Sequence, residues 1–189
     1  MSISFLWQIL LYGWTASEIY IAIATRTRRG GGKTFDRGSM AILWVTIVAS
    51  ITAAEWIGAV SPHNMFGGAP WLKIASVLIL IASLIIRWTA ILSLGKAFSA
   101  NVAIRDSQTV YRSGLYRFVR HPSYSGLLLA FLAIGLHERN WLAAAVAVIP
   151  PNAALLYRIH VEEAALLQAF GSEYRAYSNT TKRLIPGIY

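Results

Sequence analysis

Apolar residues in this chain come in blocks of about twenty, the length of a membrane-crossing helix, rather than in the short stripes of a soluble domain. The first block runs from Ile3 to Ala24 and is interrupted by Gln8, Glu18 and several hydroxyl residues. The second covers Met40–Val60 with Glu55 near its far end, and the third covers Trp71–Leu94 with Arg87 inside it. A fourth starts at Pro122 and ends near Leu136. A fifth runs from Trp141 to about Tyr157 and is broken by Pro150-Pro151. The last two are short, which predicts an interrupted or tilted hairpin closed by the tight turn His137–Asn140. Beyond Arg158 the pattern changes. Glu163, Leu166, Leu167, Phe170, Tyr174 and Tyr177 recur at helical spacing, with Gly171 as an interruption. That period predicts an amphipathic helix, lying on the membrane surface or closing over a site. The expected fold is all-α: a polytopic integral membrane bundle of about five transmembrane helices plus a C-terminal amphipathic helix, with no Rossmann domain.

Composition supports a membrane setting. Of the 189 residues, 56% are hydrophobic and only 13% are charged, which excludes an ordinary soluble domain. The net charge of +9 would suggest nucleic acid in a soluble chain. Here the basic residues fall in loops. With five spans, the loop at 25–39, the polar segment Gly95–Arg120 and the tail share one side, and they hold 14 of the 17 Lys and Arg residues. That side is cytoplasmic by the positive-inside rule, so the N-terminus is expected outside. No nucleic-acid partner is expected. The N-terminal block lacks the basic region and small-residue cleavage site of a signal peptide and is read as a retained span. Gly32-Lys33-Thr34 imitates the end of a phosphate-binding loop, but the glycine needed five residues earlier is Thr27 and no strand precedes it, so that motif is rejected.

The chemistry gathers in two places. The stretch Gly114–Gly126 combines Arg117, Arg120 and His121 with the aromatic faces of Tyr116, Phe118 and Tyr124. Pro122 biases His121 away from helical angles and suits the first turn of a helix, so a loop should end at His121. A helix start facing a basic, aromatic loop is an anion site, or else a membrane-proximal loop anchored by tyrosines. The second place is Arg158 and Glu162, four apart and so on one helical face. They make either an ordinary ion pair at a helix end or a clamp, with arginine on an anionic acceptor and glutamate on a cationic group. Glu163 points about 100° away and is expected to be solvated. Four scattered histidines, at 63, 121, 137 and 160, have no ligand spacing, so no metal is expected. Arg87 is expected to snorkel to the interface, with Glu18 as a candidate partner.

Two passages then carry a resemblance. One is Gln108-Thr109-Val110-Tyr111-Arg112-Ser113-Gly114-Leu115-Tyr116 leading into Arg120-His121-Pro122-Ser123-Tyr124-Ser125-Gly126. The other is Arg158-x-x-x-Glu162-Glu163, then Leu166, then Phe170-Gly171-x-Glu173-Tyr174-x-x-Tyr177, ending in Thr181-x-Arg183-Leu184-x-Pro186. In order and spacing they resemble the isoprenylcysteine carboxyl methyltransferase family of integral membrane enzymes. The resemblance implies S-adenosylmethionine as methyl donor, bound at the cytoplasmic face, and residues 95–189 as the catalytic region behind a three-span region at 1–94, all in one integrated domain. Carried over by position, Gln108, Thr109, Val110 and Tyr111 border the cofactor, and Tyr116 packs near its adenosine. His121, Pro122, Ser123 and Tyr124 hold its polar end. Glu162 meets the donor and Arg158 binds the acceptor. Many relatives have His where Gln108 stands. The implied activity is O-methylation of the carboxylate of a lipophilic, isoprenylcysteine-like acceptor or lipid. Three alternatives are an amine or phospholipid N-methyltransferase, an NADPH-dependent membrane reductase with a similar His-Pro-x-Tyr loop, and a non-catalytic membrane subunit.

Overall fold

The computed structural model describes residues 2–25, 33–34, 38–60, 69–99, 103–104 and 109–189. The basic stretch at 26–32, the connector at 61–68 and Gln108 lie outside the described residues.

Five α-helices carry the fold among the described residues: α1 (Ile3–Ala24), α2 (Ser39–Val60), α3 (Trp71–Leu94), α4 (Pro122–His137) and α5 (Trp141–Thr180). Short 3-10 turns occupy Gly95–Ala97 and Gly114–Arg117, and a two-residue antiparallel ladder pairs Lys33–Thr34 with Ala103–Ile104. Local chemistry sets the helix starts. Ser2 caps α1 by accepting from the Phe5 amide. Pro122 opens α4, and Asn140 caps α5 by accepting from the amides of Leu142 and Ala143. By length and composition α2, α3 and α5 can each cross a membrane, while α4 is a shorter apolar helix of 16 residues. α1, which carries Gln8, Glu18 and several hydroxyl and aromatic residues, is not in that set.

α3 packs on α4, α2 on α5, and α4 on α5, with α1 against α3. Gly126 permits the α3–α4 contact. A Cβ there would stand 3.0 Å from Arg87 Cβ and 3.1 Å from the Ser83 carbonyl. Trp14 meets Phe131 edge-on in a core that includes Leu80, Ile134, Leu155 and Ile159.

Two expectations are corrected. Pro150-Pro151 does not break the last span: α5 continues through them to Phe170 and kinks at the non-helical Gly171 (φ 51, ψ −120), beyond which a second helical segment runs to Thr180. Prolines are tolerated where packed neighbours support the helix, and Pro151 is fully buried. The amphipathic tail therefore begins as a continuation of the last span, and Gly171 interrupts it as expected. Arg87 does not snorkel. It is buried, with Nε 2.5 Å from Glu18 Oε1 and Nη2 2.6 Å from Oε2, and its Nη1 donates to the Ser123 hydroxyl at 2.6 Å. A charge within the bilayer is costly, so the pair that could form did form.

At 1.5 Å per residue the stretch of α5 before the Gly171 kink is about 45 Å long, more than the hydrocarbon thickness of roughly 30 Å. Arg158 lies about 26 Å along it, near where a helix leaves the apolar core.

Candidate functional site

The loop before α4 is held by the chain's end. Val119 bridges to Lys182, the Arg120 amide donates to the Lys182 carbonyl at 2.7 Å, and the His121 amide donates to the Arg183 carbonyl at 3.0 Å. His121 keeps non-helical angles (φ −125, ψ 57), as a residue before proline should. Tyr116 is buried, its hydroxyl donating to the Ala90 carbonyl at 3.3 Å and its own carbonyl accepting from the Tyr177 hydroxyl at 2.6 Å. Burial, then the Glu162 carboxylate, raises the Tyr116 phenol far above its ordinary range, so it remains a neutral donor.

This loop, the 95–99 turn and the distal half of α5 enclose a cavity of about 860 Å³, mouth included. Thr109, Val110, Tyr111, Tyr116, His121, Ser123, Tyr124 and Glu162 all line it. Pro122 is buried in the first turn of α4 and is not among the lining residues. Arg158 is absent from this wall. It lines a second cavity, open to the outside, with Trp14, Ile21, Leu43, Trp44 and Ile47 as apolar walls and Glu18 and Arg87 as further charged groups. The two cavities share Phe98, Ser99 and Tyr124. Arg158 Nε donates to the Tyr124 hydroxyl at 3.0 Å and Nη1 to the Ser39 hydroxyl at 3.0 Å. Thus the partition itself orients the guanidinium.

Glu162 is the open end of the first cavity's chemistry. Its Oε2 is buried and accepts no hydrogen bond from the described residues, and the same holds for the Tyr174 hydroxyl as donor or acceptor. Buried orphan groups of this kind are rare and mark a missing partner. Glu163 is not solvated, as its position on the helix suggests, but 8% exposed. It accepts from Arg120 Nε at 2.9 Å and Arg183 Nε at 3.0 Å, and lies 3.3 Å from His121 Nε2. Arg120 also donates to the carbonyls of Ser178 and Thr181. Glu163, Phe98, Ser99 and Ser39, together with the cavity-lining Phe170, Tyr174 and Tyr177, are among the residues to which sequence reasoning gave no role in the site. Their partners are far away in the chain, and the one local signal was Arg183 in the C-terminal motif.

Residues 76–168 match the family model described as the isoprenylcysteine carboxyl methyltransferase (ICMT) family. Protein-S-isoprenylcysteine O-methyltransferase B of Arabidopsis thaliana is 29% identical over 120 residues, or 62% of this chain and 61% of that protein. Methanethiol S-methyltransferase 1 of Bradyrhizobium diazoefficiens is 41% identical over 73 residues, or 38% of this chain and 24% of that protein. The solved structure of the eukaryotic intramembrane Ras methyltransferase ICMT has a TM-score of 0.58 at 24% identity, covering 80% of this chain and 53% of that one. At that identity the likeness is one of fold. The chain spans less than two thirds of each of these relatives.

Proposed function

We propose that this chain, whose residues 76–168 match the model of the isoprenylcysteine carboxyl methyltransferase family, is an integral membrane methyltransferase that uses S-adenosylmethionine on a lipophilic acceptor at the cytoplasmic face. One observation carries the reading. Along α5, Glu162 lines one cavity and Arg158 the other, one turn apart, with Tyr124 in the partition. A methyl transfer between two bound molecules needs adjoining sites that open directly onto each other where the reacting atoms meet, and the shared lining of Phe98, Ser99 and Tyr124 marks where these two adjoin.

The first cavity suits the donor. The orphan Oε2 of Glu162 fits a cationic group, and Tyr111 and Tyr116 supply aromatic surface. When bound there, S-adenosylmethionine supplies a methyl group on a sulfonium, which an acceptor takes as the carbon–sulfur electron pair returns to sulfur. The chain's own residues supply alignment and dryness. Arg158 presents a planar guanidinium, suited to two parallel hydrogen bonds with a carboxylate. A carboxylate is already ionised at neutral pH, so no general base is required. Holding it in line is worth up to about 7–11 kcal/mol in favourable cases. The apolar walls of the second cavity fit an isoprenyl-like tail, reached from the lipid.

A second reading is favoured by the methanethiol S-methyltransferase, which shares 41% identity over 73 residues. In it the acceptor is a thiol, and Arg158 favours the thiolate. Calorimetry in detergent tests the donor: micromolar binding of S-adenosylhomocysteine supports the proposal, whereas binding of NADPH alone would replace it with a reductase. Radiolabelled methyl transfer into a native lipid extract then separates the acceptors. A methyl ester releases methanol in base, while a thioether survives.

A further inference from the structure

We infer that Glu163 is a positioning residue that holds the His121 ring with Nε2–H toward its own carboxylate, so that Nδ1 and Glu162 Oε2 face the cavity as a joint acceptor for a primary ammonium group on the methyl donor. The inference rests on the proposed function for the identity of that donor, and on geometry alone for the ring.

Adjacent residues on a helix diverge by about 100°, so Glu162 and Glu163 reach the ring of His121 from two directions. Nδ1 lies 3.8 Å from Glu162 Oε2 and Nε2 lies 3.3 Å from Glu163 Oε1. The two sides are not equivalent. Glu163 is fixed, with Arg120 Nη2 at 2.8 Å and Arg183 Nη2 at 2.9 Å in addition to the two Nε donors. A carboxylate that receives this many cationic donors is ionised and can only accept. The ring nitrogen facing it is therefore the one that carries hydrogen, and the hydrogen bond made by one nitrogen sets the role of the other.

On the cavity side, 3.8 Å is too long for a hydrogen bond. Glu162 Oε2 nevertheless has no other donor among the described residues. A proton on Nδ1 would draw that carboxylate into contact. Two acceptors held apart at this spacing are arranged around a donor that is not part of the protein. A primary ammonium has three N–H groups and can satisfy both at once, with one left for water or for the unpartnered Tyr174 hydroxyl in the same cavity. Tyr124 packs beside the His121 ring, with centroids 5.5 Å apart and planes 14° from parallel.

The test uses the whole protein in lipid nanodiscs with 15N-labelled histidine. In the wild type, the His121 spectrum should show Nε2 protonated and Nδ1 bare. The Nδ1 resonance should move on adding S-adenosylhomocysteine and stay with the analogue that lacks its amino group. Calorimetry should find the amino-bearing ligand at least about tenfold tighter than the analogue, the scale of one charge-assisted hydrogen bond. Glu163→Gln should collapse that preference to within about twofold while leaving affinity for the analogue intact, and Glu163→Asp should restore part of it. Because Glu163→Gln leaves two guanidiniums unbalanced, the double variant Glu163→Gln/Arg183→Gln repeats the measurement with one cation removed. Protonated Nδ1 in the wild type, or full discrimination in folded Glu163 variants, overturns the inference. Failure of the wild type to bind S-adenosylhomocysteine while the ring shows the stated tautomer overturns the donor reading instead.

Discussion

Glu162 and Arg158 are separated by one helical turn, and their variants should fail differently. Glu162→Gln removes the charge behind the orphan oxygen, so affinity for S-adenosylhomocysteine should fall about ten- to a hundredfold by calorimetry, the cost of losing a hydrogen bond to a charged group. Arg158→Ala should leave that affinity within about twofold, because Arg158 does not line the first cavity, yet lower turnover by at least about a hundredfold. Arg158→Lys should recover little, since an ammonium cannot hold both Tyr124 and a carboxylate in one plane. Normal binding and normal turnover in both variants would remove these residues from the site. His121, Tyr116, Tyr124 and Glu162 were legible in the sequence because motif spacing carries them. Glu163 was not, because its burial depends on Arg120 and Arg183, which only the folded chain brings to it.

At the level of the element, close packing is set by single glycines. Gly126→Ala would push a methyl group into Arg87 and the Ser83 carbonyl, both near 3 Å, where the α3–α4 contact has no slack. Overpacking of this kind costs about 1–3 kcal/mol, so the melting temperature in detergent should drop, and the Arg87–Ser123 hydrogen bond with it. Gly171→Ala tests a different cause. Nothing lies within 4 Å of its missing Cβ, but φ is 51, so the penalty is one of backbone conformation, about 1–3 kcal/mol. Since Phe170, Tyr174 and Tyr177 line the first cavity around this kink, the variant should bind S-adenosylhomocysteine more weakly while Arg158 keeps its contacts. The limits of α1 and α3 were readable from the apolar blocks, whose ends coincide with the Ser2 cap and the positive-φ Gly95. The continuity of α5 through Pro150-Pro151 was not, since proline reads as a stop unless the neighbouring helices that support it are known.

Across the whole molecule, the end of the bundle away from the site carries its own titration. Glu138, in the turn between α4 and α5 and outside the spanning segments, has its carboxyl pushed up to about 7 from 4.5, first by burial and then by the nearby Glu55 carboxylate. The unfolded chain releases that proton near 4.5, whereas the folded chain keeps it to about 7. Its contribution to stability is therefore complete below pH 4.5 and is lost as pH rises through 7. Glu138→Gln should flatten this part of the stability profile, measured as the difference in melting temperature between variant and wild type across that range. A variant that tracks the wild type throughout would show the carboxyl to be ordinary. Back at the site, the shared wall of Phe98, Ser99 and Tyr124 divides a chamber rich in polar groups from one walled largely by tryptophan and aliphatic side chains. Under the proposed function the two reactants arrive from different phases and are counted in different units: molarity in the buffer for the donor, mole fraction in the bilayer for the acceptor. Adding inert phospholipid at fixed volume should therefore slow the reaction as if the acceptor had been diluted, while the half-saturating donor concentration stays where it was.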